Sequence, residues 1–138
     1  MRHPGHCHCG NLTVAFETAE PPERVPLRAC LCTFCRRHGA VWTADPSGSL
    51  DVRVGDPALL SRYRFGLGTS EFLVCRTCGV PVAAIADIDG ATYAALNANV
   101  LDDRSAFAQP PQPVDYDAEA AEDRIARRRR AWTPATIR

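Results

Sequence analysis

Two cysteines and a glycine lie together in the segment Cys75-Arg76-Thr77-Cys78-Gly79, and a similar pair lies in Cys7-His8-Cys9-Gly10. Thiolates two or three residues apart can point at one metal ion, and a following glycine permits the positive φ that such a turn often needs. Two pairs supply four sulfur ligands, which is the donor set of a closed tetrahedral zinc site. We therefore predict a structural Zn²⁺ held by Cys7, Cys9, Cys75 and Cys78.

The other three cysteines form the cluster Cys30-Leu31-Cys32-Thr33-Phe34-Cys35. Three protein ligands leave the fourth position of a tetrahedral ion open for water or substrate, which is the pattern of a catalytic zinc. We therefore predict a second Zn²⁺ on Cys30, Cys32 and Cys35, with these cysteines as the catalytic site. His38 could instead close this site as a fourth ligand, which would make the second ion structural. An iron–sulfur cluster and redox-active thiols are further alternatives.

Short alternating segments dominate the remaining sequence and predict a mainly β domain. Apolar and polar residues alternate over 12–17 and 50–54, and two further strands are expected over 60–65 and 72–75. Strands over 82–88 and 92–96 flank Asp89-Gly90, a dipeptide typical of a type I′ hairpin turn. We expect several small antiparallel sheets with at most one or two short helices.

Two segments carry helix signals. Asp56 would cap a short helix that starts at Pro57. In the tail, acidic residues at 115–123 precede arginines at 127–130, an order that suits the helix dipole. We predict a zinc-binding domain over 3–115 and a charged tail over 116–138 that can form a helix, with one face made by Ala121, Ile125 and Trp132. The arginine run is interpreted as a solvated helix end, with RNA or an acidic partner as the alternative.

Composition excludes several classes of function. All 16 basic residues among the 138 are arginine, which excludes Schiff-base chemistry and a lysine nucleophile. Sixteen acidic residues balance them to a formal net charge of zero, so we predict no nucleic-acid partner. The longest apolar run, 80–86, is too short for a membrane span, and the first residues lack a secretory signal. We predict a cytoplasmic protein whose thiols stay reduced.

The order and spacing of the motifs over about residues 3–115 resemble the glutathione-dependent formaldehyde-activating (GFA) family, which also contains the centromere protein V type. The resemblance includes the three cysteine clusters and two landmark segments, Leu60-x-x-Tyr63-x-Phe65 and Asn97-x-Asn99-x-Leu101-Asp102-Asp103. It implies a zinc-stapled β-tent fold, a structural zinc on the two cysteine pairs and a second zinc on the triplet. Val74 departs from the family, which often has an aromatic residue before the second pair, and the tail has no family pattern.

The resemblance also implies a reaction, in which the thiol of glutathione adds to formaldehyde and gives S-hydroxymethylglutathione. Run in reverse, this is a carbon–sulfur lyase reaction, and we expect glutathione or a similar thiol and a small aldehyde as partners. Arg36 and Arg37 adjoin the triplet and could clamp a substrate carboxylate. Trp42 and Phe34 could form walls of a pocket or part of the core. Two other functions stay open: a non-catalytic zinc-stapled binding module, and a thiol-based redox or metal sensor.

Overall fold

The computed structural model describes residues 1–138 and confirms a mainly β fold. Besides four short 3-10 helices, it has two α-helices, α1 (Thr33–His38) and α2 (Ala121–Ala131). The eleven strands are β1 (Arg2–His6), β2 (Leu12–Glu17), β3 (Leu27–Cys30), β4 (Trp42–Thr43), β5 (Ser49–Val54), β6 (Leu60–Tyr63), β7 (Glu71–Cys75), β8 (Pro81–Ile88), β9 (Ala91–Asn97), β10 (Gln112–Val114) and β11 (Thr133–Ile137). Neither α-helix has the length and apolar character needed to cross a lipid bilayer.

The strands are linked in the order β1-β2-β5-β11-β9-β4-β3-β10, and β8, β7 and β6 continue from the other side of β9. Most neighbours are antiparallel, as predicted, but β10 runs parallel to β3 and β11 runs parallel to β5. The fold has two hydrophobic cores, a larger one and a smaller one. The alternating strand β2 buries Leu12, Val14 and Phe16 in the larger core and turns its polar residues outward. This alternation explains why β2 pairs with β5 in a single register.

The β8–β9 hairpin is the best-predicted part of the fold. Asp89 and Gly90 both have positive φ angles, 51° and 81°, which is the geometry of the type I′ turn that their sequence predicts. The Asp56 signal is also confirmed, because its carboxylate accepts a hydrogen bond from the backbone N–H of Ala58 at the start of a 3-10 helix, Pro57–Leu59. β9 lies near the centre of the fold, where it contacts β8 on one side and β4 and β11 on the other.

The first residues of the chain pack against the rest of the fold as strand β1. His3 is only 3% exposed, and its ring bonds Asp103 through Nδ1 at 2.7 Å and Thr18 through Nε2 at 3.2 Å. Gly5 lies so close to the segment around Val100 that a Cβ atom would overlap the carbonyl oxygen of that residue. The N-terminal strand is therefore fastened to the Leu-Asp-Asp landmark by a side-chain pair and by backbone proximity.

The tail takes part in the sheet. Part of it is helical, as predicted, in α2, but residues 133–137 form a strand, β11, that was not predicted. β11 lies between β5 and β9 and joins the two halves of the sheet. On α2, Ile125 packs against the smaller core and Trp132 follows the helix as a buried residue, whereas Ala121 is exposed. The predicted common face is therefore correct for Ile125 and Trp132 and wrong for Ala121.

Candidate metal centres and the adjoining cavity

The two cysteine pairs meet in space. The Sγ atoms of Cys7, Cys9, Cys75 and Cys78, hereafter the four-cysteine group, all lie within 4.8 Å of one another. Cys7 follows β1 and Cys75 ends β7, so the fold brings together residues more than sixty positions apart. The distance from Cys9 Sγ to Cys75 Sγ is 3.5 Å, and from Cys9 Sγ to Cys7 Sγ it is 3.7 Å. These four cysteines form a group that could hold a metal ion.

Backbone amides are directed at the sulfur atoms of this group. The N–H of Leu12 donates to Cys7 Sγ at 3.3 Å. Desolvation acts to raise the pKa of Cys78, but hydrogen bonds from the backbone of Val80 and Cys9 outweigh it and lower that pKa to about 6. Gly10 and Gly79 follow the two pairs with φ angles of 87° and 80°, as expected for the turns that aim these amides. The backbone thus stabilises negative charge on sulfur before any ion is considered.

The second group consists of Cys30, Cys32 and Cys35, hereafter the three-cysteine group, whose sulfur atoms also lie within 4.8 Å of one another. Cys30 ends β3, and Cys32 caps α1 because its Sγ accepts the backbone N–H of Cys35 at 3.3 Å. The Sγ atoms of Cys32 and Cys35 are 3.1 Å apart. The end of β3 and the first turn of α1 therefore bring the three sulfur atoms together.

Trp42 provides a direct contact to this second group. Its indole Nε1 donates a hydrogen bond to Cys35 Sγ at 3.3 Å, and both side chains are buried. The hydrogen bond between Cys35 and Cys30 lowers the pKa of Cys30 to about 6, against the opposing effect of burial. The same hydrogen bond, together with burial, raises the pKa of Cys35 above its usual range. Within this group the thiolate form is therefore favoured on Cys30 and disfavoured on the buried Cys35.

A cavity of about 400 Å³ adjoins the three-cysteine group and none of the four-cysteine group. This volume lies within the usual range of small-molecule sites. All three cysteines line it, together with aromatic side chains from separate elements: Trp42, Phe65, Phe72, Tyr116 and Trp132. Trp42 is therefore a wall of the cavity, whereas Phe34 packs outside it between Phe72 and His38, with ring centroids 4.5 Å from each.

The tail contributes charged residues to the same cavity. Arg124, Arg127 and Arg128 of α2 line it, as does Arg28 of β3. The run of arginines at 127–130 was predicted to be a solvated helix end, and this interpretation is wrong for Arg127 and Arg128; no role was predicted for Arg124. The sequence does contain a pattern that predicts this placement. Arg127 and Arg128 follow Arg124 by three and four positions, so these arginines share one helix face with Trp132.

Three residues near the triplet in sequence lie away from its sulfur atoms. His38 is exposed and rests on the ring of Phe34, and it is not part of the group of ligand atoms around Cys35. Arg36 and Arg37 are exposed on α1 and do not line the cavity. The predicted carboxylate clamp on these two arginines is therefore not formed at this cavity, because α1 points them outward.

The structure is thus a mainly β fold with two cysteine groups that could each hold a metal ion, one of which adjoins a cavity. The family model described as glutathione-dependent formaldehyde-activating enzyme (GFA) matches residues 2–115. The chain therefore belongs to the GFA family, as its motifs indicate.

One solved structure similar to this chain is the crystal structure of a Rhodobacter sphaeroides protein. It shares 28% sequence identity with this chain, covers 80% of this chain and 97% of its own length, and superposes with a TM-score of 0.58. No curated protein matches the sequence significantly. The α2 and β11 segments lie beyond the residues that the family model matches, so the tail arginines in the cavity are not part of the family pattern.

Proposed function

We propose that this protein is a zinc-dependent enzyme of carbon–sulfur lyase type that acts on thiol–aldehyde adducts such as S-hydroxymethylglutathione. Family membership and the two cysteine groups support this assignment. The observation that carries it is the contact between three sulfur ligands and a cavity large enough for a small thiol. A purely structural ion would be closed by four protein ligands and would need no such space.

The donor set of both groups fits zinc. With zinc–sulfur bonds of about 2.3 Å, the sulfur atoms of a tetrahedral site stand about 3.8 Å apart, close to the 3.5 and 3.7 Å found in the four-cysteine group. We propose that this group holds a structural Zn²⁺ and that Cys30, Cys32 and Cys35 hold a second one. When bound there, zinc would lower the pKa of a thiol in the cavity and so favour its nucleophilic form.

The residues of the chain would support the reaction in two ways. The Trp42 N–H offsets negative charge on Cys35 and fixes the side of the triplet that faces the core. The aromatic walls hold the thiol and the aldehyde together, which replaces a bimolecular encounter by a positioned one. In the adduct-forming direction a sulfur–carbon bond forms, the carbon–oxygen π bond breaks, and the thiol proton ends on the new hydroxyl; the lyase direction reverses these changes.

The test is an exchange measurement with purified protein, glutathione and isotopically labelled formaldehyde, combined with elemental analysis for zinc and iron. We expect about two zinc atoms per chain and faster interconversion of formaldehyde and S-hydroxymethylglutathione than in buffer. Cys32→Ser should abolish the acceleration, whereas His38→Ala, on the same helix but outside the cavity, should retain it. Thiol binding without any acceleration would favour the binding-module alternative, and iron in place of zinc would contradict the metal assignment.

We also propose a reducing, cytoplasmic setting for this protein, in which its seven unpaired cysteines would stay reduced.

A further inference from the structure

The guanidinium of Arg128 is buried and has no acidic partner. Arg128 lies in the last turn of α2 with a relative exposure of 6%, and its Nη1 donates to Thr69 Oγ1 at 2.8 Å. Its guanidinium carbon lies 4.8 Å from the ring centre of Trp132. The Nε atom is buried and has no hydrogen-bond partner. No carboxylate lies within 4.0 Å of this side chain, although ion pairs are frequent elsewhere on the surface.

Such a group is unusual, because arginine is almost never buried without a partner and an unpaired buried charge is costly. The acid that attracts Arg128, Glu119, is already engaged, because it accepts three hydrogen bonds from Arg127 and lies 3.5 Å from the Nε of Arg124. Burial, followed by repulsion from Arg127 and Arg124, lowers the pKa of Arg128 to about 10, although attraction by Glu119 from beyond ion-pair distance opposes the shift, so Arg128 remains charged at neutral pH. The guanidinium of Arg128 therefore has no direct acidic partner within the chain.

The surroundings of Arg128 identify where that group would bind. Arg128 lines the cavity that the three-cysteine group also lines. Arg28, Arg124 and Arg127 line the same cavity, and Asp117, which is exposed, is the one acidic residue among the lining set. Arg28 is half-buried on β3, two positions before Cys30, and also forms no ion pair. The cavity is thus lined by the three-cysteine group and by four arginines, with a single acidic residue against them.

We propose that Arg128, assisted by Arg28, binds a carboxylate of the thiol substrate, so that the segment after residue 115 makes this protein selective for anionic thiols. The inference rests on the proposed function for the identity of the substrate as a thiol. The planar fork of a guanidinium matches a carboxylate with two parallel hydrogen bonds. A neutral thiol would leave the buried charge unpaired, and selectivity of this origin is large.

The experiment uses the two tryptophans of the chain, Trp42 and Trp132, which both line the cavity and report occupancy through their fluorescence. S-methylglutathione, which has carboxylates but no free thiol, and β-mercaptoethanol, which has a thiol but no carboxylate, are titrated into the zinc-loaded protein. The variants are Arg128→Gln and the matched control Arg130→Gln, an exposed arginine of the same helix that does not line the cavity.

We expect Arg128→Gln to weaken S-methylglutathione binding by at least about tenfold and to leave β-mercaptoethanol binding within about twofold. Arg130→Gln should change neither. Arg128→Gln should also melt no earlier than the parent, since it removes an unpaired buried charge. If it fails to fold, Arg128→Lys serves instead, because it keeps the charge and loses the planar fork, and the same selective weakening is expected.

Three results would overturn the proposal. Unchanged affinity for S-methylglutathione would remove Arg128 from recognition, and an equal loss for both probes would assign it a structural role. Inorganic phosphate that binds more tightly than S-methylglutathione, with the same dependence on Arg128, would contradict the carboxylate. Failure of the proposed function is distinguishable, because S-methylglutathione would then still bind through Arg128 while the exchange of formaldehyde with glutathione shows no acceleration.

Discussion

The two cysteine groups use the same ligand atom in opposite settings. The four-cysteine group joins the end of β1 to the end of β7, with two of its residues fully buried and no cavity beside it. The three-cysteine group draws on six consecutive residues at the start of α1 and opens onto the cavity. The four-cysteine group closes a long loop, so an ion there can hold distant strands together. The three-cysteine group closes only a short loop but adjoins the cavity, so an ion there can be reached by a substrate.

The largest expected effect is the loss of the fold in Cys75→Ser. An ion on the four-cysteine group would contribute on the order of 10 kcal/mol of apparent binding free energy, comparable to the whole stability of a small domain. Circular dichroism and thermal melting should show an unfolded chain, whereas Thr77→Ala, an exposed residue between the two ligands, should melt like the parent. A native-like melt of Cys75→Ser would remove the structural role.

Cys32→Ser should keep the fold and lose one metal ion. The ligands of the three-cysteine group are close in sequence, so their ion closes only small loops and stabilises the fold less. Elemental analysis of both variants, with melting temperatures measured side by side, compares the two groups directly. Equal destabilisation by Cys32→Ser and Cys75→Ser would erase the distinction between them.

Trp42→Phe should weaken metal retention at the three-cysteine group alone. The change keeps an aromatic wall and removes the N–H that donates to Cys35 Sγ. Loss of such a supporting hydrogen bond typically costs about 10- to 100-fold in metal affinity, which a chelator competition would resolve as one faster phase of release. Trp132→Phe is the control, because it changes the other tryptophan of the cavity without touching a cysteine hydrogen bond. Faster release of both ions from Trp42→Phe would contradict a local role.

A smaller effect on stability, dependent on pH, is expected at Glu119. This residue accepts hydrogen bonds from Arg127, which lines the cavity. Its hydrogen bond from Arg127 lowers the pKa of this carboxyl below its ordinary value of 4.5, although burial opposes the shift. The folded state therefore binds a proton less readily than the unfolded state. The stabilisation is fully present above the ordinary pKa and is lost as the pH falls through the lowered value.

Glu119→Gln should accordingly melt at a lower temperature than the parent near neutral pH, and the difference should shrink in acid. Glu122→Gln, in the exposed first turn of α2, is the control and should show no such pH dependence. A melting difference that stays constant from neutral pH into acid would exclude the charge pair as its cause.

The smallest expected effect concerns His38. This exposed residue packs on Phe34 and lies outside the three-cysteine group, so His38→Ala should leave two metal ions per chain. Elemental analysis of the variant and the parent, purified in parallel, compares the number of metal ions per chain. Loss of one ion would make His38 the fourth ligand and would turn the open group into a second closed one.

The parts of the molecule that the sequence predicts depend on local chemistry. The paired cysteines, the glycines that follow them and Asp89-Gly90 each specify a turn within a few residues, and the structure contains those turns. β11 is different, because Thr133–Ile137 contains Pro134 and few large apolar residues, and it becomes a strand through pairing with β5 and β9. The position of Arg128 in the cavity wall also depends on contacts between residues that are distant in sequence, because α2 directly precedes β11. Burial of His3 also follows from a partner a hundred residues away, Asp103.

The position of β11 sets an order of events during protein synthesis. All seven cysteines of the two groups precede residue 79, so both proposed metal sites are synthesised before α2 and β11. β5 and β9 receive their shared neighbour only when residues 133–137 have emerged. α2, immediately before β11, can close its side of the cavity only then. If the two groups bind zinc as proposed, the ions can therefore be bound before the arginine wall of the cavity is in place, and the proposed recognition site is the last part of the molecule to form.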